Sequence, residues 1–322
     1  MKRICNILCI GIVLVLASCK SSSKVQDGET AFKIKKYTLA AEMLQKDYSK
    51  TKDIAQQSKI ALKIAQSYDK QLNYIAAETW YKKIADARVL DNSLMLYVNA
   101  LKRNEKYTEA LKTLEDYLKA NKTEKFRLQK EYDFLQAAVK QTKAKQHTKL
   151  SNLEINTESI DFSPFLKDNI LYFSSTRGGG KNNTDDWTGE GYADIYSSQK
   201  LNDIAFNSPV NIGTPFNSPY HDANIIFTKN GKTAFFTRCG SANKNVDEYC
   251  HIYRVDKNID DSWSTPQRVQ LFADTINEGQ AYLSTDENEL YFSSDNKDGY
   301  GGRDIYFAKK NIAGEYENPI NA

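Results

Sequence analysis

Acid–base or metal chemistry in this 322-residue chain would have to be built from three histidines, His147, His221 and His251, and 41 carboxylates. No nucleophile elbow, His-Glu-x-x-His helix or paired-cysteine metal motif accompanies the histidines. Asp185-Asp186 and Asp260-Asp261 read as solvated loop charge, and carboxylates scattered over hairpin tips do not make a glycosidase pair. The glycine clusters Gly178-Gly179-Gly180 and Gly299-Tyr300-Gly301-Gly302, and the lone Gly240, lack the following Gly-Lys-Ser/Thr and helix that a phosphate loop needs. From Asp295 to Asp304, oxygen side chains alternate as in a calcium loop. Lys297 and the missing terminal Glu point instead to a glycine-rich hairpin capped by its aspartates. Cys239 and Cys250 end one expected strand and begin the next, at the two feet of a hairpin loop. Paired residues there lie within disulfide reach. The inventory predicts no enzyme, no cofactor and no metal site.

The elements carrying these residues fall into distinct segments. With 40% hydrophobic residues and a mean hydropathy of −0.62, the chain is neither a polytopic membrane protein nor a disordered acidic tail. A formal charge of +3 leaves no global basic footprint for nucleic acid. Residues 28–147 hold 24 basic and 15 acidic side chains, a net of +9, while residues 148–322 hold 16 and 25, a net of −9. That break marks two modules, which either dock on each other or face separate partners. At the N-terminus, Lys2 and Arg3 precede an apolar run from Ile7 to Leu16 that is too short to span a bilayer. The following Leu16-Ala17-Ser18-Cys19 resembles the lipobox of bacterial lipoproteins. The resemblance implies a signal peptide over 1–18, with Cys5 and Cys9 discarded, and a Cys19 thiol that accepts diacylglycerol. It also implies a lipidated tether over 19–27 and an outer-membrane protein on the periplasmic face, where oxidising conditions favour the Cys239–Cys250 bridge.

Residues 28–146 read as helical repeats. Tyr37, Ala40 and Leu44 recur as Tyr74, Ala77 and Tyr81, then as Tyr107, Ala110 and Leu114. The tyrosines are 37 and 33 residues apart, and each triplet lines one helix face. Ala61, Ile64, Ala65 and Tyr68 line a preceding helix, and Leu94, Tyr97, Val98 and Leu101 another. The period and the small Ala beside an aromatic resemble tetratricopeptide repeats. A final helix over about 123–145, with Phe126, Tyr132, Phe134, Leu135 and Val139, is expected to cap the array.

Residues 147–322 read as strands. Asp194-Ile195-Tyr196 recurs as His251-Ile252-Tyr253 and Asp304-Ile305-Tyr306. Ten residues after each Tyr stands an aromatic (Phe206, Trp263, Tyr316), and thirteen after it a proline (Pro209, Pro266, Pro319). An apolar strand precedes each triplet: Leu171–Ser175, Ala234–Arg238 and Leu290–Ser294. Each unit should therefore supply four antiparallel strands, with the proline on the outermost because it lacks an N–H. His251 replaces the Asp of the other copies and should be structural. The units resemble the WD-type propeller repeats of TolB-like envelope proteins. A closed propeller takes about four to eight blades, so three imply a partial ring, with Leu153–Asn156 adding at most one strand to the last blade. The third copy is expected to stop short of its outer strand. This favours a truncated product of a longer gene over completion by a partner or second copy.

Lipobox, helical repeats and propeller repeats, in that order, resemble the OmpA-related envelope lipoproteins of the PorE type, which belong to type IX secretion and gliding systems. The resemblance implies a multidomain α-then-β chain, a tetratricopeptide-like solenoid followed by a partial β-propeller. It implies a non-enzymatic scaffold whose concave helical face and blade edges meet envelope or secretion-complex proteins, and which meets the membrane through its lipid. The resemblance covers the first three parts of that family's order and not its C-terminal OmpA domain, so it does not extend to an expectation of peptidoglycan anchoring. A cell-surface glycan-binding lipoprotein of the SusD-like kind is an alternative, but it predicts a helix-dominated whole. The accessory propeller of a prolyl-oligopeptidase-like hydrolase is another, and it requires a hydrolase domain.

Overall fold

The computed structural model describes residues 25–143, 150–178, 184–240 and 249–322. The signal segment, Cys19, His147, Gly179 and Gly180 lie outside the described residues.

The helical half contains α1 (Gly28–Lys33), α2 (Tyr37–Lys50), α3 (Ile54–Lys70), α4 (Tyr74–Ala87), α5 (Ser93–Arg103), α6 (Tyr107–Ala120) and α7 (Gln129–Lys143). Side-chain caps start several of them. Asp27, Asp53 and Asn73 accept hydrogen bonds from the backbone N–H groups of Thr30, Gln56 and Ala76. Each helix packs on its chain neighbours. The small residues Ala40, Ala61, Ala65, Ala77 and Ala110 are all buried between the helices. Large side chains fill the spaces beside them: Leu44, Ile64, Ile84, Leu101, Leu114 and Leu135 are fully buried. Tyr81 and Tyr97 reach across helix pairs to donate to Asp69 (2.7 Å) and Glu109 (2.9 Å). The final helix starts later than its expected position near 123. A single 3-10 turn at Lys122–Glu124 intervenes, and Leu128, Leu135 and Ala138 bury the end of the array. Phe126 is 94% exposed and takes no part in that core.

The second half forms three antiparallel sheets of four strands. The first holds β1 (Asp161–Lys167), β2 (Ile170–Ser175), β3 (Asp194–Gln199) and β4 (Val210–Asn211). The second holds β5 (His221–Phe227), β6 (Thr233–Cys239), β7 (Cys250–Asp256) and β8 (Gln267–Arg268). The third holds β9 (Glu278–Leu283), β10 (Glu289–Ser294), β11 (Asp304–Lys310) and β12 (Tyr316–Asn321). One register runs through all three. Ser197, Arg254 and Phe307 pair with Val210, Gln267 and Ile320. Lys200, Lys257 and Lys310 pair with the aromatics Phe206, Trp263 and Tyr316. The +10 and +13 spacings thus reflect a return strand that bulges at the proline and resumes on the sheet edge.

Two expectations are corrected. The third sheet has its outer strand: Ile320 and Asn321 pair as Val210 and Asn211 do. The N–H of Ala322 donates to the Ile305 carbonyl, matching Ile212 to Ile195 and Val269 to Ile252. Leu153 to Asn156 adds no strand to the last sheet. Leu153 and Ile155 instead pack on Leu171, Phe173 and Tyr196 of the first. No helix among the described residues is long and apolar enough to cross a membrane.

Candidate interaction surfaces

The repeated tyrosines form part of the sheet cores. Tyr196, Tyr253 and Tyr306 stack on Phe173, Phe236 and Phe292 of the neighbouring strand, each at 6.0 Å between ring centroids. The residues two before these tyrosines, Asp194, His251 and Asp304, face local partners. Asp194 accepts from the Asn211 side chain (2.9 Å), and burial raises its pKa above the ordinary carboxylate value. Asp304 accepts from the Gly301 N–H (2.9 Å), and His251 Nδ1 lies 3.5 Å from Glu278. Asp295 receives the backbone and side-chain N–H groups of Asn277. Asp304 thus caps its own loop, as expected, whereas Asp295 does not: it ties the end of β10 to the loop that enters β9. Pro209 and Pro266 precede the short edge strands β4 and β8, and Pro319 follows the left-handed Asn318 (φ 53°) inside β12.

A second repeated feature escaped the sequence reading. Each first strand carries a carboxylate at or next to its start: Asp161, Asp222 and Glu278 pair with Ser175, Arg238 and Ser294. Asp161 accepts from Thr157 four residues upstream and from Arg177 (2.6 Å). Asp222 accepts from Ser218 and Arg238 in the same way. Each guanidinium stacks over its sheet's aromatic pair, Arg177 over Phe173 and Tyr196, Arg238 over Phe236 and Tyr253. In the third sheet Phe272 covers Phe292 and Tyr306 instead. Depth of burial separates the two aspartates. Burial pushes both pKa values up; hydrogen bonds from Ser175, Arg177 and Thr157 outweigh it at Asp161, leaving the net value lowered. At the fully buried Asp222 desolvation prevails, and the pKa is raised. The legible trace was an acidic residue four positions after Thr157 and Ser218.

The two halves meet at the loop between β2 and β3. Asp185, read as solvated charge, is instead a turn cap that accepts from the backbone of Trp187 and Thr188 and from the Thr188 hydroxyl. Asp186 pairs with Lys36 of the helical half. Trp187 packs edge-on against Tyr37 (5.1 Å), donates from Nε1 to the Lys70 carbonyl (3.0 Å) and lies beneath the ammonium groups of Lys35 and Lys70. Gly189, at φ +79°, passes so close to Thr38 that a Cβ would stand 2.8 Å from its hydroxyl. Beside this plug lies a cleft of about 430 Å³ lined by Phe32, Gln66, Asp69, Lys70, Tyr74 and Arg103. Trp187→Ala should release the halves from each other, since the Lys36–Asp186 ion pair that remains among the described residues is exposed and weak. Small-angle scattering should show a larger radius of gyration for the variant; an equal radius would mean that other contacts hold the junction.

Cys239 and Cys250 are register partners on β6 and β7, and their sulfurs are bonded. Bridging an 11-residue separation stabilises by roughly 2–3 kcal/mol in the chain-entropy account. Thiol titration of the unfolded, non-reduced protein should find neither cysteine reactive, and reduction should lower the denaturation midpoint. Two reactive thiols would refute the bridge. No family model matches the chain, and no curated protein matches it.

Proposed function

We propose that this chain is a non-enzymatic, lipid-anchored scaffold of the bacterial outer membrane. In this reading the helical half is a tetratricopeptide-like solenoid and the three sheets are blades of a partial β-propeller, facing the periplasm and bound to envelope or secretion-complex proteins. The observation that carries the reading is repetition in both halves: neighbour-on-neighbour helices on one side, three sheets sharing one register on the other. Stacked repeats present long continuous surfaces rather than one enclosed pocket, which suits recognition of other proteins. The positive charge of the helical half favours acidic partners there, and the acidic sheets favour basic ones. The plug at Trp187 holds the two surfaces in one orientation. Cys19, by its lipobox, would tether the whole to the membrane. Affinity capture of the lipidated protein from solubilised envelopes tests the reading. Co-purifying secretion-ring or periplasmic complex proteins are expected; glycan-uptake proteins in their place would favour the glycan-binding alternative.

A further inference from the structure

The repeat supplies its own control for which surfaces of the β half are unfilled. Where the second sheet covers the first, Ile195 is fully buried; where the third covers the second, Ile252 is fully buried. Ile305 holds the same position in the third sheet and is 62% exposed. Around it the pattern repeats. Ile226 and Phe235 are buried, while their counterparts Tyr282 and Tyr291 are exposed and half-buried. The opposite end shows the converse. Ile225 and Ala281, which press onto the preceding sheet, are buried, but their counterpart Pro164 is exposed. Phe227 and Leu283 are half-buried at their joints, and their counterpart Leu166 is 52% exposed.

The joints also share a polar key. Each covering strand has a non-glycine residue in the left-handed region, Asn224 (φ 58°) and Gln280 (φ 57°). Its N–H donates to a hydroxyl of the sheet beneath, Ser174 (3.0 Å) or Thr237 (3.1 Å). The first strand carries the same bend at Ser163 (φ 52°), and the third sheet carries the same hydroxyl at Ser293. Left-handed backbone at a branched or polar side chain costs free energy and persists where surroundings hold it. One chain therefore carries both halves of the joint, one at each end of its β half.

We propose that this protein associates head to tail with a second copy of itself, β1 of each copy seating on the outer face of the other's third sheet. The joint would reproduce the two internal ones, with Ser163 N–H directed at Ser293 Oγ and Pro164 and Leu166 laid over Ile305 and Tyr282. The contact is heterologous, so it either closes or propagates. Two copies bring six sheets, within the about four to eight that close a radial ring. The inference rests on the repeat geometry and stands apart from the envelope reading.

Sedimentation velocity of the full chain in detergent solution, from low to high micromolar, tests it through Ile305→Lys, Leu166→Lys and their mixture. Both positions are exposed, so the melts of the variants should match the parent. The parent should form dimers, and each variant alone should associate about ten- to hundredfold more weakly. An equimolar mixture should regain association, because one copy's intact third sheet meets the other's intact first strand. A parent that stays monomeric, or a variant that dimerises like the parent, would overturn the proposal. So would a mixture that fails to recover, which would indicate like faces meeting.

Discussion

Cys19→Ser is expected to abolish incorporation of an alkyne fatty acid and to move the protein out of the membrane fraction. The effect should be all-or-none, because the thiol is the atom that would accept diacylglycerol and a serine hydroxyl is a far weaker nucleophile. A single acyl chain gives marginal, reversible binding, whereas two or three anchor a protein stably. If Leu16-Ala17-Ser18-Cys19 acts as the lipobox it resembles, it decides between anchored and released states. Equal labelling of parent and variant would remove the lipid anchor from the account. In-gel fluorescence of labelled cells reads the result directly.

The second large effect is expected inside the middle sheet. Asp222 is fully buried and accepts from the Ser218 N–H, the Ser218 hydroxyl and Arg238 Nε. Arg238 is itself largely buried, donates to the carbonyls of Pro215 and Phe216 and lies against Phe236 and Tyr253. Asp222→Ala would strand that cation without its counter-charge and undo the turn, costing about 3–5 kcal/mol. Asp222→Asn retains an acceptor for Ser218 and should cost less. Because burial holds the Asp222 pKa above its ordinary value, the folded state binds its proton more tightly than the unfolded chain does. Its contribution is therefore full below the ordinary aspartate range and declines as pH rises through the folded value. Asp161, with its pKa lowered, has the opposite slope: its contribution is present above that range and is lost on acidification. Urea unfolding of the two variants checks the order. A loss below about 1 kcal/mol for Asp222→Ala would show that Arg238 finds another partner.

The β half was legible because its strands alternate and its turn residues recur at fixed offsets. Tyr196, Tyr253 and Tyr306 announced three units, and the spacing to Pro209, Pro266 and Pro319 encoded a return strand with one bulge. The missing outer strand expected of the third unit was a misreading of length. Only two residues beyond the bulge pair in each sheet, and Ile320 and Asn321 suffice. In the helical half, the Tyr and Ala periodicity located α2 to α6. It overran at the last helix because Phe126 looked like a core aromatic, although it lies exposed in the turn between the 3-10 segment and α7. The junction was not legible at all. Trp187 sits in a loop with no periodicity, and its partners Tyr37 and Lys70 lie more than a hundred residues away in sequence. Asp185 and Asp186 carried only charge in the sequence; in the fold one caps a turn and the other pairs across the halves.

The claim at the centre of this account is that the protein works by holding other envelope proteins. Native electrophoresis of gently solubilised envelopes, followed by mass spectrometry of the band containing this chain, tests it most directly. The account predicts migration well above the 36.6 kDa of one chain, with other envelope polypeptides in stoichiometric amounts that are lost when the helical half is deleted. A band containing this chain alone, as one copy or two, would contradict it.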